Sequence, residues 1–340
     1  MRKQSFYLAA FALVFVFLAC PGKNNDDDGN DGTTDVYVAG QGPTLWKNGA
    51  GQHISYHNAD AFSVFVSGND VYVAGIDYSG GGNNAVYWKN GAIHGLKDEN
   101  YNSGAAYSIF VSGENVYIAG RYFATNKVTG RGRYVAVLWI NGQPHPLTFN
   151  SRIASANSVF VSGDDVYVAG EEGYDFGGGA MLWKNGAPQS LSAGSIGAAN
   201  SVFVSEGNVY VAGYDYSENR IFATLWKNGA PQSLSNISNP QAVFVSGDEV
   251  YVLGYDASPQ GKSTAVVWKN GIVQRVSDGS RNAYAYSLFV SNGDVYVAGY
   301  EESANKRAVA TLWKNGAAQS LVDEKYNLIA YSVYVVEKGD

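Results

Sequence analysis

Cysteine is nearly absent from this chain: Cys20 is the only one in 340 residues, so no internal disulfide can staple the fold. Histidine is almost as scarce. The repeats described below put His94 and His145 on outer strands, with His53 one place later in its own repeat, which leaves His57 as the one histidine in a variable loop. Neither a histidine-based catalytic triad nor a metal cluster can be assembled from that spacing, and no metal or cofactor is expected. Charged residues make up only 16% of the chain and the formal net charge is -7, which excludes a basic nucleic-acid-binding surface. Long hydrophobic runs are missing except for one at the N-terminus, so the chain is not a multi-spanning helical membrane protein. The 46% hydrophobic share is enough for a sizeable core and excludes global disorder.

Glycine and tyrosine are abundant instead, with 41 and 25 copies, as in an all-β chain rich in turns. The segment Ser63-Val-Phe-Val-Ser-Gly-Asn-Asp-Val-Tyr-Val-Ala-Gly75 returns with small changes from Ser108, Ser158, Ser201, Ala242 and Ser287, at intervals of 41 to 50 residues. Periods of that length mark one supersecondary unit repeated. Trp46, Trp88, Trp139, Trp183, Trp226, Trp268 and Trp313 are all the tryptophans present, and each is followed two residues later by Asn-Gly. Asn-Gly between apolar runs is the strongest short hairpin signal, because a type I′ turn needs positive φ at both central residues. Each unit therefore reads as four strands. The chain opens at Asp35 with the second strand of a unit and closes with a first strand, Ser332-Val-Tyr-Val-Val336. Six whole units and one split unit predict a seven-bladed β-propeller over residues 35–340, whose first blade is completed by the C-terminal strand, as ring closure requires.

Before the repeats, Arg2 and Lys3 precede an uncharged apolar run that ends at Cys20 and is followed by Pro21-Gly22. That is the layout of a cleaved signal peptide over residues 1–19. The stretch Phe17-Leu18-Ala19-Cys20 resembles the lipobox of bacterial lipoproteins, with small Ala19 before the cysteine and Phe17 and Leu18 departing from the usual residues. The resemblance implies lipidation at Cys20, followed by a flexible acidic tether over residues 20–34 that contains no apolar side chain from Lys23 onward. An acidic run just after such a cysteine is similar to the export signal of Bacteroidota surface lipoproteins, which implies a lipid-anchored position on the outer membrane, exposed at the surface. The repeats, in the form Ala-Thr-Leu-Trp226-Lys-Asn-Gly-Ala-Pro-Gln-Ser-Leu234, resemble those of Bacteroidota lipoproteins and, distantly, HAF-type extracellular repeats. Those repeats imply no defined reaction or ligand.

Function is expected on the face where the connections vary, since loops on a rigid scaffold carry binding residues. Two residues after each strand-ending glycine, five blades carry Asp77, Glu172, Asp215, Asp256 or Glu301, and Tyr214, Tyr255 and Tyr300 immediately precede three of these, with Tyr78 close by. Carboxylates mixed with aromatic plates suit a sugar, whose C–H faces lie on rings while its hydroxyls donate to acids. The insertion from Arg121 to Tyr134 adds Arg121, Lys127, Arg131 and Arg133 on the same face. The expectation is a monomeric extracytoplasmic binding module for a glycan or a surface protein, touching the membrane only through its anchor. A carbohydrate-active enzyme and a purely structural scaffold are the alternatives, and no catalytic motif marks the former.

Overall fold

The computed structural model describes residues 34–96, 103–125, 131–149, 151–174, 177–192, 196–217, 220–234, 238–257, 261–322 and 327–338. The signal segment, Cys20 and the tether as far as residue 33 lie outside the described residues, as does Lys127. Seven antiparallel sheets of four strands each stand around one axis, forming a seven-bladed β-propeller. Strands are designated A to D from the axis outward; in blade 2 they run Ala59–Ser67, Asp70–Asp77, Asn84–Lys89 and Ala92–Gly95. Blade 1 is split: its strand A is the C-terminal Ala330–Glu337, paired with the N-terminal Thr34–Gly40 in a register that sets Val38 opposite Val333. The ring therefore closes by pairing its own termini, and no inner edge is left open.

The Trp-Lys-Asn-Gly repeat builds each blade in a definable way. The tryptophan is buried against the preceding blade; Trp46, for example, packs with Tyr296, Ala298 and Leu312 of blade 7. Asn48 and Gly49 take φ of 51° and 80°, the left-handed pair of the hairpin turn. The Asn48 side chain accepts from the Val36 N–H at 2.8 Å and donates to Asp35 at 2.9 Å. Lys47 reaches the same Asp35 at 2.7 Å while lying 5.1 Å above the Tyr37 ring. Blade 3 has Ile140 in place of the lysine, and there Asn115 replaces the acid and accepts from Asn141 at 2.7 Å.

The inner strands carry two further regularities. Registers shift between Ala61 and Ser63, Ala106 and Ser108, Ala156 and Ser158, Ala199 and Ser201, and Ala285 and Ser287, so each of these A strands contains a β-bulge with one extra residue, as blade 1 does at Tyr331, while the shift in blade 6 runs from Ser238 to Ala242. The serine that follows the bulge accepts a backbone N–H of the next blade: Ser63 Oγ accepts from Ile109 N–H at 3.2 Å and Ser108 Oγ from Val159 N–H at 3.1 Å, and the series continues to Ser332 and Val64. The strand-ending glycine is equally determined. A Cβ on Gly75 would lie 2.0 Å from the Asp60 carbonyl oxygen and 2.8 Å from the Trp88 ring, so neither the bulged strand nor the tryptophan leaves room for a side chain.

Candidate ligand-binding mouth

The axis is lined by two tiers of side chains, and their difference defines the site. The lower tier is a closed ring of Phe65, Phe110, Phe160, Phe203, Phe244, Phe289 and Tyr334, each centroid 4.7 to 5.0 Å from the next. A heptagon of that side holds its centroids only roughly 5 to 6 Å from the axis, and the van der Waals bulk of the rings leaves an opening about one or two waters wide. The axial passage is thus constricted toward the face of the short invariant turns, and it opens on the face of the variable connections.

The upper tier consists of the bulge residues, and there the sevenfold symmetry breaks. Tyr286, Tyr331, Phe62 and Tyr107 form a continuous aromatic arc with centroids 5.3 to 5.8 Å apart. Tyr300, Tyr284 and Tyr255 extend it through contacts of 6.4, 5.0 and 5.6 Å. The opposite arc is amide: Asn157 donates to the Ala199 carbonyl at 3.1 Å and Asn200 to the Pro240 carbonyl at 2.7 Å, with Gln241 completing it. Burial pushes the Tyr286 and Tyr331 hydroxyls up to about 12, so both are neutral phenols able to donate and accept at physiological pH.

One wall of the mouth is charged. The Arg121 guanidinium lies 4.4 Å from the Tyr134 ring centroid and 5.7 Å from that of Tyr107. Glu171, the equivalent residue of blade 4, has its carboxyl raised by burial, an effect that Arg121 partly offsets. Tyr214 is raised by its own burial and by the Glu171 charge. Thus Tyr107, Arg121, Glu171 and Tyr214 follow one another across blades 3, 4 and 5.

The residues expected from sequence divide by parity. Successive strand residues point to opposite faces, so Tyr214, Tyr255 and Tyr300 lie on the face that continues into the mouth while Asp215, Asp256 and Glu301 lie on the other face of the same strands. Glu172 and Asp77 take the same side as these acids. The five carboxylates are therefore dispersed, one per blade, on the face that carries the tryptophan, and are not gathered with the tyrosines into one surface. Asp77 is 7% exposed and fully engaged, accepting from the Ser79 amide at 2.8 Å and the Ser79 hydroxyl at 2.7 Å, with His57 at 3.4 Å. Burial acts to raise its pKa, but the Ser79 bonds and His57 outweigh it and hold the carboxyl below its ordinary value. It is the anchor of a loop. Glu301 is raised by burial and by Asp278 in the loop leaving blade 6. Tyr78 donates to Asp60 at 2.9 Å.

The residues of the mouth that the sequence pattern did not single out are Phe62, Tyr107, Glu171, Tyr284, Tyr286 and Tyr331. A signal for four of them exists: each immediately precedes the serine of a nearly invariant strand, the one position there that changes among Phe, Tyr, Asn and Gln. Of the histidines, His94 stacks on Tyr87 at 4.6 Å on the outer strand, and His53 contacts the Gly42 carbonyl at 2.8 Å. Among the described residues no group of three metal-ligating side chains occurs.

No protein-family model matches the chain, and no curated protein matches it. Solved structures similar in fold include a chain of a nidogen/laminin complex, at 9% identity and TM-score 0.44, covering 89% of this chain and 98% of that one. The dipeptidyl peptidase 4 of Porphyromonas gingivalis aligns at 10% identity and TM-score 0.46, over 86% of this chain and 49% of that one. The β-propeller domain of the Trilobed protease from Pyrococcus furiosus aligns at 12% identity and TM-score 0.39, over 79% and 99%. Likeness at this level carries no function across.

Proposed function

We propose that this protein is a lipid-anchored, extracytoplasmic binding propeller whose upper-tier mouth holds a glycan. The anchor is Cys20, the acidic tether lifts the propeller from the outer membrane, and the mouth faces whatever the cell surface meets. The observation that carries the binding reading is the broken symmetry of the bulge tier. Positions that a purely architectural ring would fill alike carry Tyr286, Tyr331, Phe62 and Tyr107 on one arc and Asn157, Asn200 and Gln241 on the other. Aromatic plates on one side and amide donors and acceptors on the other are the two contacts a sugar ring uses, through its C–H faces and its hydroxyls. A protein partner for the same mouth is the competing ligand, and a carbohydrate-active enzyme is the competing activity.

The test is affinity electrophoresis of the full chain in detergent, through gels carrying neutral and acidic polysaccharides, stained for protein and for remaining glycan. Retardation without clearing, abolished in Tyr286→Ala/Tyr331→Ala, is the expected result. A cleared zone would make the protein an enzyme, and unretarded migration through every gel would remove the glycan reading. The anchor is checked separately by metabolic palmitate labelling, which Cys20→Ala must abolish.

A further inference from the structure

We infer that the mouth selects a carboxylate-bearing glycan, with Arg121 as the residue that binds the carboxylate and the groove between blades 3 and 4 as the path along which the acidic chain leaves the mouth. The inference rests on the glycan reading above and adds the chemical class of the ligand. Three observations carry it.

The first is the state of Arg121. Its guanidinium is half-buried and oriented by stacking against Tyr134 at 4.4 Å and Tyr107 at 5.7 Å, yet among the described residues no carboxylate lies within ion-pair distance of it. Five lysines of the blade hairpins behave differently: Lys47, Lys89, Lys184, Lys269 and Lys314 are each paired with an acid at 2.7 to 2.9 Å, while Lys227, whose blade has Asn208 in place of the acid, lies 5.2 Å over the Tyr210 ring. A planar guanidinium held between aromatic faces presents its N–H fork ready-oriented for a planar carboxylate, which accepts two parallel hydrogen bonds.

The second is the groove. Phe123, Gly132, Arg133, Tyr134, Arg152 and Ile153 enclose about 380 Å³ at the variable-face end of blades 3 and 4. Tyr134 belongs to both places, with Arg121 stacked on its ring and its edge against Phe123 at 5.2 Å. A volume of this order holds about one or two sugar residues. The third is charge distribution. On a protein of formal charge -7, the arginines 121, 133 and 152 converge on this one wall, and Arg133 is positioned by donating to the Phe149 carbonyl. Glu171 is the nearby opposing charge. Burial raises its carboxyl's pKa, and Arg121 partly offsets that shift.

The experiment compares each acidic polysaccharide with the same chain made neutral. Polygalacturonate, alginate and hyaluronate are titrated into the full chain in detergent, each beside its fully methyl-esterified form, at low and moderate salt. The expected result is at least tenfold tighter binding of one or more acid forms than of the matching ester. Arg121→Gln should abolish that preference, weakening the acid form at least tenfold more than the ester, and Arg121→Lys should restore only part of it, with the cooperative melting transition retained in both variants. Equal affinity for acid and ester, or equal loss of both in Arg121→Gln, would overturn the carboxylate inference and leave the glycan reading standing. No binding to any of the six would overturn both.

Discussion

Asp35 and Lys338, from opposite ends of the chain, meet at 3.0 Å on the first blade. Asp35 also receives Lys47 at 2.7 Å and Asn48 at 2.9 Å. Burial alone would raise its pKa, but these three donors outweigh that and hold it at about 2. A carboxyl whose folded pKa lies below its unfolded value of about 3.9 stabilises the fold fully above that value and loses the contribution as pH falls toward about 2. Asp35→Asn is therefore expected to cost about 1–2 kcal/mol at pH 7, and the difference from the parent should vanish near pH 2. Urea unfolding at both values checks it; a cost independent of pH would mean that charge at the closure is unimportant.

Closure itself is more demanding than that one ion pair. Removing residues 332–340 deletes most of the strand that pairs with Thr34–Gly40 and, with Tyr334, one member of the aromatic ring. The truncated chain should melt at least 10 °C lower than the parent or fail to fold cooperatively, since both blade 1 and its contacts with blades 2 and 7 are lost. An unchanged melting temperature in calorimetry would contradict closure by this strand.

Blade 6 offers a gain of stability. Where six blades place a serine whose Oγ accepts an N–H of the next inner strand, blade 6 has Ala242, so the equivalent bond to Leu288 is not made. Ala242→Ser should supply it and stabilise by about 0.5–1 kcal/mol, whereas Ser158→Ala, which removes the 3.2 Å bond from Val202 N–H, should destabilise by about 1–2 kcal/mol. Chemical denaturation of the two variants is the measurement, and the same sign for both would refute the argument.

Glu171 predicts the opposite pH behaviour from Asp35. Its folded pKa is raised by burial, so ionising it in the fold costs free energy, and that cost sets in as pH rises through its ordinary value. Glu171→Gln should raise the melting temperature at pH 7 and lose the advantage below about pH 4, where the carboxyl is protonated in both states. A melting profile for the variant that runs parallel to the parent across pH 4 to 8 would show that burial does not govern this group.

The glycine that ends strand B is required by shape. Gly120→Ala would place a methyl 2.1 Å from the Ala105 carbonyl oxygen and 2.9 Å from the Trp139 ring, in a part of the core with no open side. A loss of about 3 kcal/mol or more is expected, by equilibrium unfolding, against less than about 1 kcal/mol for Gly113→Ala, where the added Cβ meets nothing but φ is positive.

The number of blades, the hairpin at each Asn-Gly and the completion of blade 1 by the C-terminal strand are all legible in the sequence. Each depends on local turn chemistry or on the order of repeated segments, and neither needs long-range geometry. Which strand residues meet at the mouth was decided only by the tertiary structure. Blade strands are buried on both faces, so an apolar pattern does not say whether Glu171 or Glu172 looks toward the axis, and the bulge before each inner serine shifts the alternation by one. Tyr107, Phe62, Tyr331 and Tyr286 are far apart along the chain, and they become one aromatic arc only because ring closure sets the first and last repeats side by side. Arg121 acquires its meaning in the same way. It is one of four basic residues in an insertion until packing sets its guanidinium between two tyrosine rings, at a distance from every described carboxylate.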